Sequence, residues 1–117
     1  MANQVAWFEV VGKDGKKLQD FYGKMFDWKI DANNPMNYGM TEASETGLGG
    51  GISASQDGSS MVTIYVAVDD LQAALDKAEK LGGKTVMPPM EVPDGPKIAM
   101  FADPEGNVIG LLIPSGS

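Results

Sequence analysis

No cysteine and no histidine occur among the 117 residues. The first absence excludes disulfides, a thiolate nucleophile and a soft sulfur metal site, and it permits a reducing compartment. The second removes the commonest general base near neutral pH and the commonest ligand of zinc, nickel and iron. Basic residues are also scarce, nine against sixteen acidic ones, for a formal charge of −7. Such a chain repels phosphate backbones and anionic membranes, so nucleic-acid binding is disfavoured. No stretch approaches the ~20 consecutive apolar residues of a membrane span, and the first residues carry no basic leader pattern. The expectation is a cytoplasmic protein, neither nucleic-acid-bound nor membrane-bound, with one domain's worth of chain and core.

What is present is a clear alternation of strand and helix signals. Residues 5–11 read V-A-W-F-E-V-V, and alternation puts Val5, Trp7, Glu9 and Val11 on one face with Ala6, Phe8 and Val10 on the other. Asp14 is a candidate N-cap for a helix whose Leu18, Phe21, Tyr22, Met25 and Phe26 form one stripe, expected to pack on a sheet. Trp28–Ile30 begins a second strand, residues 31–37 form a polar loop, and 38–42 form a third strand. Ser44–Gly47 reads as a turn, and the run from Leu48 to Ser55 is a strand despite Gly49, Gly50 and Gly51. Three consecutive glycines there predict a bulge, a bend, or a wall that something approaches closely.

After a short polar linker at 56–60 the order begins again. Residues 61–68 alternate Met61, Thr63, Tyr65 and Ala67 against Val62, Ile64, Val66 and Val68, and the aliphatic set is expected to face a helix. That helix starts near Leu71 with Asp69 or Asp70 as cap, carries Leu71, Ala74, Leu75 and Ala78 inward, and stops at Gly82. Strands follow at 84–87, ended by Pro88-Pro89, then at 98–102 and 108–113, with a turn over 92–96 and another over 103–107. The whole reads as βαβββ twice, in modules of about 1–57 and 61–114. The fold class is therefore α+β: two modules forming a curved eight-stranded mixed sheet with a cleft.

With W-F-E-V at 7–10, D-F-Y-G-K-M-F-D-W at 20–28, V-A-V-D-D-L at 66–71, K-L-G-G at 80–83 and F-A-D-P-E-G-N at 101–107, the chain resembles the vicinal oxygen chelate superfamily. This family holds glyoxalase I, extradiol dioxygenases and bleomycin-resistance proteins. The resemblance implies metal-ligand positions at Trp7, in the stretch 49–53, at Thr63 and at Gly110. Indole offers only an N–H, glycine offers no side chain, and a neutral threonine hydroxyl is a poor sole ligand, so no metal and no cofactor is expected.

The resemblance also implies a cleft lined by Trp7, Glu9, Thr63, Tyr65, Gly110 and Leu112, with Met100 near the loop that overhangs it. An aromatic wall with a few polar anchors suits a flat small molecule. Glu9, a carboxylate on an otherwise apolar strand face, is the candidate catalytic base or ligand anchor. The expected function is a metal-free small-molecule binding protein of bleomycin-resistance type, holding an apolar or aromatic ligand as a homodimer. The alternatives are a metal-independent isomerase or lyase with Glu9 as base, and an interaction module whose cleft Trp7 plugs.

Overall fold

The computed structural model describes residues 3–92 and 95–114. The chain divides into two compact units, one of Trp7–Thr63 and one running from Ile64 onward together with the chain up to Ala6. Among the described residues there are seven strands rather than eight, in an α+β arrangement.

The N-terminal unit holds strand β1 (Val5–Gly12), helix α1 (Gly15–Phe26), strand β2 (Gly39–Thr41), the one-turn helix α2 (Ala43–Thr46) and strand β3 (Gly50–Ala54). Strand β3 is central here, parallel to β1 in the register Phe8↔Gly50 and Glu9↔Gly51, and antiparallel to β2. Asp14 caps α1 as expected, its Oδ1 accepting the Lys17 N–H at 3.0 Å.

The strand expected from Trp28 does not form. Asp27 leaves the helix in a left-handed conformation (φ 58°), and the Trp28 ring turns onto Phe26, Phe8 and Tyr22 at centroid distances of 4.9, 5.8 and 6.3 Å. Only a single bridge, Asp31 to Met40, remains of the pairing. The turn expected at 44–47 is tightened into α2. The apolar stripe of α1 is another correction. Leu18 and Tyr22 are half-buried, but Phe21, Met25 and Phe26 are 57, 61 and 50 % exposed. Three strands, one of them three residues long, present too little sheet to cover the whole stripe.

The C-terminal unit follows the expected βαβββ order: β4 (Met61–Ala67), α3 (Leu71–Lys80), β5 (Lys84–Glu91), β6 (Lys97–Ala102) and β7 (Val108–Ile113), laid out as β4-β7-β6-β5. Strands β4 and β7 are parallel and the other neighbours antiparallel. Asp70, not Asp69, caps α3 through the Ala73 N–H at 3.0 Å. The helix stops at a Schellman turn: Gly83 N–H bonds Ala78 O at 2.9 Å, Gly82 N–H bonds Glu79 O at 3.2 Å, and Gly82 takes φ 103°, a conformation that favours glycine. Leu71 and Leu75 are buried with Ala99 and Leu111, and Val66 and Val68 pack against them as the aliphatic face of β4 predicts. Val62, expected in that set, is 73 % exposed.

Strand β5 does not end at the prolines. It runs through Pro88 and Pro89 to Glu91, with register shifts on both sides of Met87. Proline lacks an N–H, which is tolerated where a strand bulges or lies last in its row, as β5 does within this unit. The turn expected over 92–96 includes positions 93 and 94, which lie outside the described residues. The turn at 103–107 is built on Asp103, whose carboxylate accepts N–H groups of Glu105 and Asn107 and the Asn107 side-chain amide at 2.8–2.9 Å.

Candidate functional site

On β1 the alternation holds, and it sorts the triple glycine of β3. Phe8 points to one side and lies where a Cβ on Gly50 would be. Trp7 and Glu9 belong to the other side, where Gly49 and Gly51 stand beside them. A Cβ at Gly49 would sit 3.0 Å from Trp7 Cζ3, and one at Gly51 would collide with the hydroxyl of Tyr38. The three glycines are therefore a wall that side chains approach closely. The approaching groups are the protein's own aromatic rings, one for each glycine.

Tyr38 is the residue that sequence reasoning missed. Its hydroxyl accepts the Trp7 Nε1–H at 2.9 Å and donates to Glu9 Oε2 at 2.8 Å. All three side chains are half-buried. Their chemistry gives the chain one direction, because an indole nitrogen only donates and the phenol then has its single O–H to give to the carboxylate. The signal that could have found Tyr38 was the glycine at 51, which marks a close approach without saying from where.

Of the other expected site residues, Thr63, in the opening stretch of β4 that falls in the N-terminal unit, is buried at 5 % exposure. The C-terminal unit aligns Tyr65, Gly110 and Met100 across three adjacent strands, with Tyr65↔Gly110 and Gly110↔Met100 as register pairs. The Tyr65 ring fills the place of a Gly110 side chain, and Tyr65, Met100 and Leu112 are all buried.

The family's metal-ligand positions carry no suitable donor set. Trp7 gives its N–H to Tyr38, Gly110 has no side chain and is covered by Tyr65, and residues 49–53 supply three glycines, Ile52 and the buried Ser53. Among the described residues no three His, Cys, Asp or Glu side chains are grouped to hold a metal ion. The donors present do not fit the divalent ion that metal-using relatives would hold. Among the described residues no helix is long and apolar enough to cross a membrane.

Two surface concavities lie away from this face. One, of about 340 Å³, runs beneath α3 and is mainly apolar, with Val66, Ala74, Ala78, Leu81 and Phe101 in its lining. The other, of about 360 Å³, lies along α1 beside Gln19, Lys24 and Trp28.

Comparison with known proteins agrees with this fold. CFP32 of Mycobacterium tuberculosis, which carries a provisional glyoxylase name, is 27 % identical over 113 residues, covering 90 % of this chain and 43 % of its own length. The anthracycline biosynthesis protein DnrV of Streptomyces peucetius is 28 % identical over 129 residues, covering 86 % of this chain and 43 % of its own length. This chain thus spans less than half the length of the curated relatives it matches. A glyoxalase/bleomycin resistance protein/dioxygenase superfamily structure from Vibrio splendidus superposes with a TM-score of 0.64 at 12 % identity, covering 96 % of this chain and 99 % of that one. Residues 4–111 match the family model, and the chain belongs to the Glyoxalase/Bleomycin resistance protein/Dioxygenase superfamily.

Proposed function

We propose that the protein is a metal-free small-molecule binding protein that holds an aromatic ligand against the Trp7–Tyr38–Glu9 face. The observation that carries this reading is the directional hydrogen-bond chain on a glycine wall. It places two aromatic rings beside a half-buried carboxylate on one side of β1, the combination of flat apolar surface and few polar anchors that small-molecule sites use. The similarity to proteins named for anthracycline biosynthesis supports a planar fused-ring ligand. The poor donor set at the family's metal positions supports binding without a metal. Trp7 is half-buried rather than enclosed, which weighs against its serving only as a plug.

A second reading has one observation of its own. Glu9 is held by a phenol O–H, an arrangement that also orients a general base, so a metal-independent isomerase or lyase remains the alternative. We place the protein in the cytoplasm as a homodimer. The dimer is supported by the exposed Phe21, Met25 and Phe26 on α1 and by the doubled length of the relatives, to which a second copy would correspond.

Titration of an aromatic panel followed by tryptophan emission tests the reading. The chain has two tryptophans, and Trp7→Phe leaves Trp28 alone. A saturable response in the parent that disappears in Trp7→Phe is expected, and a response that survives unchanged would refute the assignment. Product analysis of the same mixtures separates binding from turnover.

A further inference from the structure

Helix α3 carries more apolar surface than its own core uses. Leu71 and Leu75 are buried with Ala99 and Leu111. Ala74, Lys77, Ala78 and Leu81 recur at i, i+3, i+4 and i+7, which sets them along a neighbouring flank. That flank lines the concavity of about 340 Å³, together with Val66 and Leu111, a register pair of β4 and β7, and Phe101 of β6. The helix packs chiefly on β5 and β6, and alanine at 74 and 78 leaves the space beside Val66 unfilled. Val66, Ala74, Ala78 and Phe101 are half-buried, and Leu81 is 71 % exposed. The volume falls within the range of small-molecule sites, about 300–1,000 Å³.

Two charged residues also line the groove, Lys77 and Asp103, and they are not equivalent. Asp103 is consumed by its own turn, its oxygens accepting the Glu105 N–H, the Asn107 N–H and the Asn107 side-chain amide. Lys77 is exposed and makes no ion pair among the described residues. A carboxylate already holding three donors offers little to a ligand cation, whereas the ammonium brings three donors of its own. Asn3, the remaining polar side chain of the lining, donates to Ala67 O at 2.9 Å. We propose that this groove is a binding site separate from the Trp7–Tyr38–Glu9 face, and that it takes an aliphatic monocarboxylate, its alkyl chain against Val66, Ala74, Ala78 and Leu81 and its carboxylate at Lys77. The proposal does not depend on the reading of the other face. The chain's charge of −7 opposes an anion at long range, but charges beyond about 8 Å are largely screened at physiological salt, so the nearby ammonium sets the preference.

The test titrates octanoate, octanol and octylamine into the full chain and follows binding by heteronuclear NMR. The three probes share one alkyl chain and differ in the charge of the head. Octanoate is expected to bind more tightly than octylamine, with octanol as the uncharged reference and with shifts gathered on Val66, Ala74, Ala78 and Leu81. Lys77→Met keeps an aliphatic stem and removes the charge, so the affinity for octanoate relative to octanol should fall about two- to fivefold, the scale of an exposed ion pair. Lys97→Met makes the same change of net charge at an exposed lysine outside the lining, and should leave that ratio as in the parent. Ala78→Leu fills the groove and should weaken all three probes, its unfolding midpoint reporting that the fold is kept. Absence of a saturable octanoate response, shifts gathered elsewhere, or tighter binding of octylamine overturns the proposal. Equal ratios in Lys77→Met and Lys97→Met, or a folded Ala78→Leu that binds octanoate as the parent does, overturn it as well. Should Ala78→Leu fail to fold, the two lysine variants decide.

Discussion

The two units open alike and finish differently. Each sets a strand before an aspartate-capped helix, yet α3 buries Leu71 and Leu75 whereas no residue of α1 is fully buried. Glycines meet aromatic rings in both. In the C-terminal unit the Tyr65 ring over Gly110 is buried, while in the N-terminal unit Tyr38 over Gly51 is half-buried and joins Trp7 to Glu9 by hydrogen bonds. The same local device, a ring seated on a bare backbone, gives a buried ring in one unit and a half-buried ring in the other.

The sharpest way to break this comparison is truncation in the helix layers. Leu75→Ala, at a residue 1 % exposed, is expected to lower stability by about 2–5 kcal/mol in denaturant unfolding. Phe21→Ala on α1, 57 % exposed, is expected to change the stability of the isolated chain by less than about 0.5 kcal/mol. Equal losses would mean that α1 is buried in solution, and a concentration-dependent loss for Phe21→Ala would point to the dimer. Next in size is Gly50→Ala, which drives a methyl into the Phe8 ring. Overpacking of this kind costs about 1–3 kcal/mol, and an unchanged unfolding midpoint would contradict the account of the glycine wall.

The caps predict likeness instead. Asp14→Ala and Asp70→Ala each remove a carboxylate that accepts an N–H at 3.0 Å, so each should cost about 1 kcal/mol despite the unequal burial of their helices. Smallest is the acid response of the turns. Asp103 is held below the usual carboxylate value, chiefly by the Asn107 side-chain amide and then by its backbone N–H. Asp57 is held low by the Ser59 hydroxyl and then the Ser59 N–H. A lowered folded value means that the stabilisation is complete above the unfolded value of about 3.9 and is lost as pH falls through the folded one. Thermal melts should therefore show a small decline below about pH 4, reduced in Asp103→Ala. The same decline in that variant would assign the effect to other carboxylates.

Much of the fold was legible because its signals are local. Asp14, Asp70 and Gly82 act within one helical turn of themselves, and the alternation of 61–67 needs only neighbouring residues. What escaped depends on distance. The periodicity of α1 defines an apolar face but not whether anything covers it. Trp28 read as a strand residue because nothing adjacent shows that its ring is drawn to Phe8 and Phe26. Pro88 and Pro89 were legible as stops, but the bulges that accommodate them depend on β6. Trp7 and Glu9 could be placed on one face by alternation. Tyr38 could not be joined to them, since its link to Gly51 is a packing relation between a loop and a strand.

Chemical-shift mapping of a bound aromatic ligand tests the central claim most directly, because the two units offer it rival surfaces. The account predicts that the largest perturbations fall on Trp7, Glu9, Tyr38 and Gly49–Gly51. Perturbations gathered instead on Val66, Ala74, Ala78 and Leu81, beneath α3, would move the site to the other unit and contradict it.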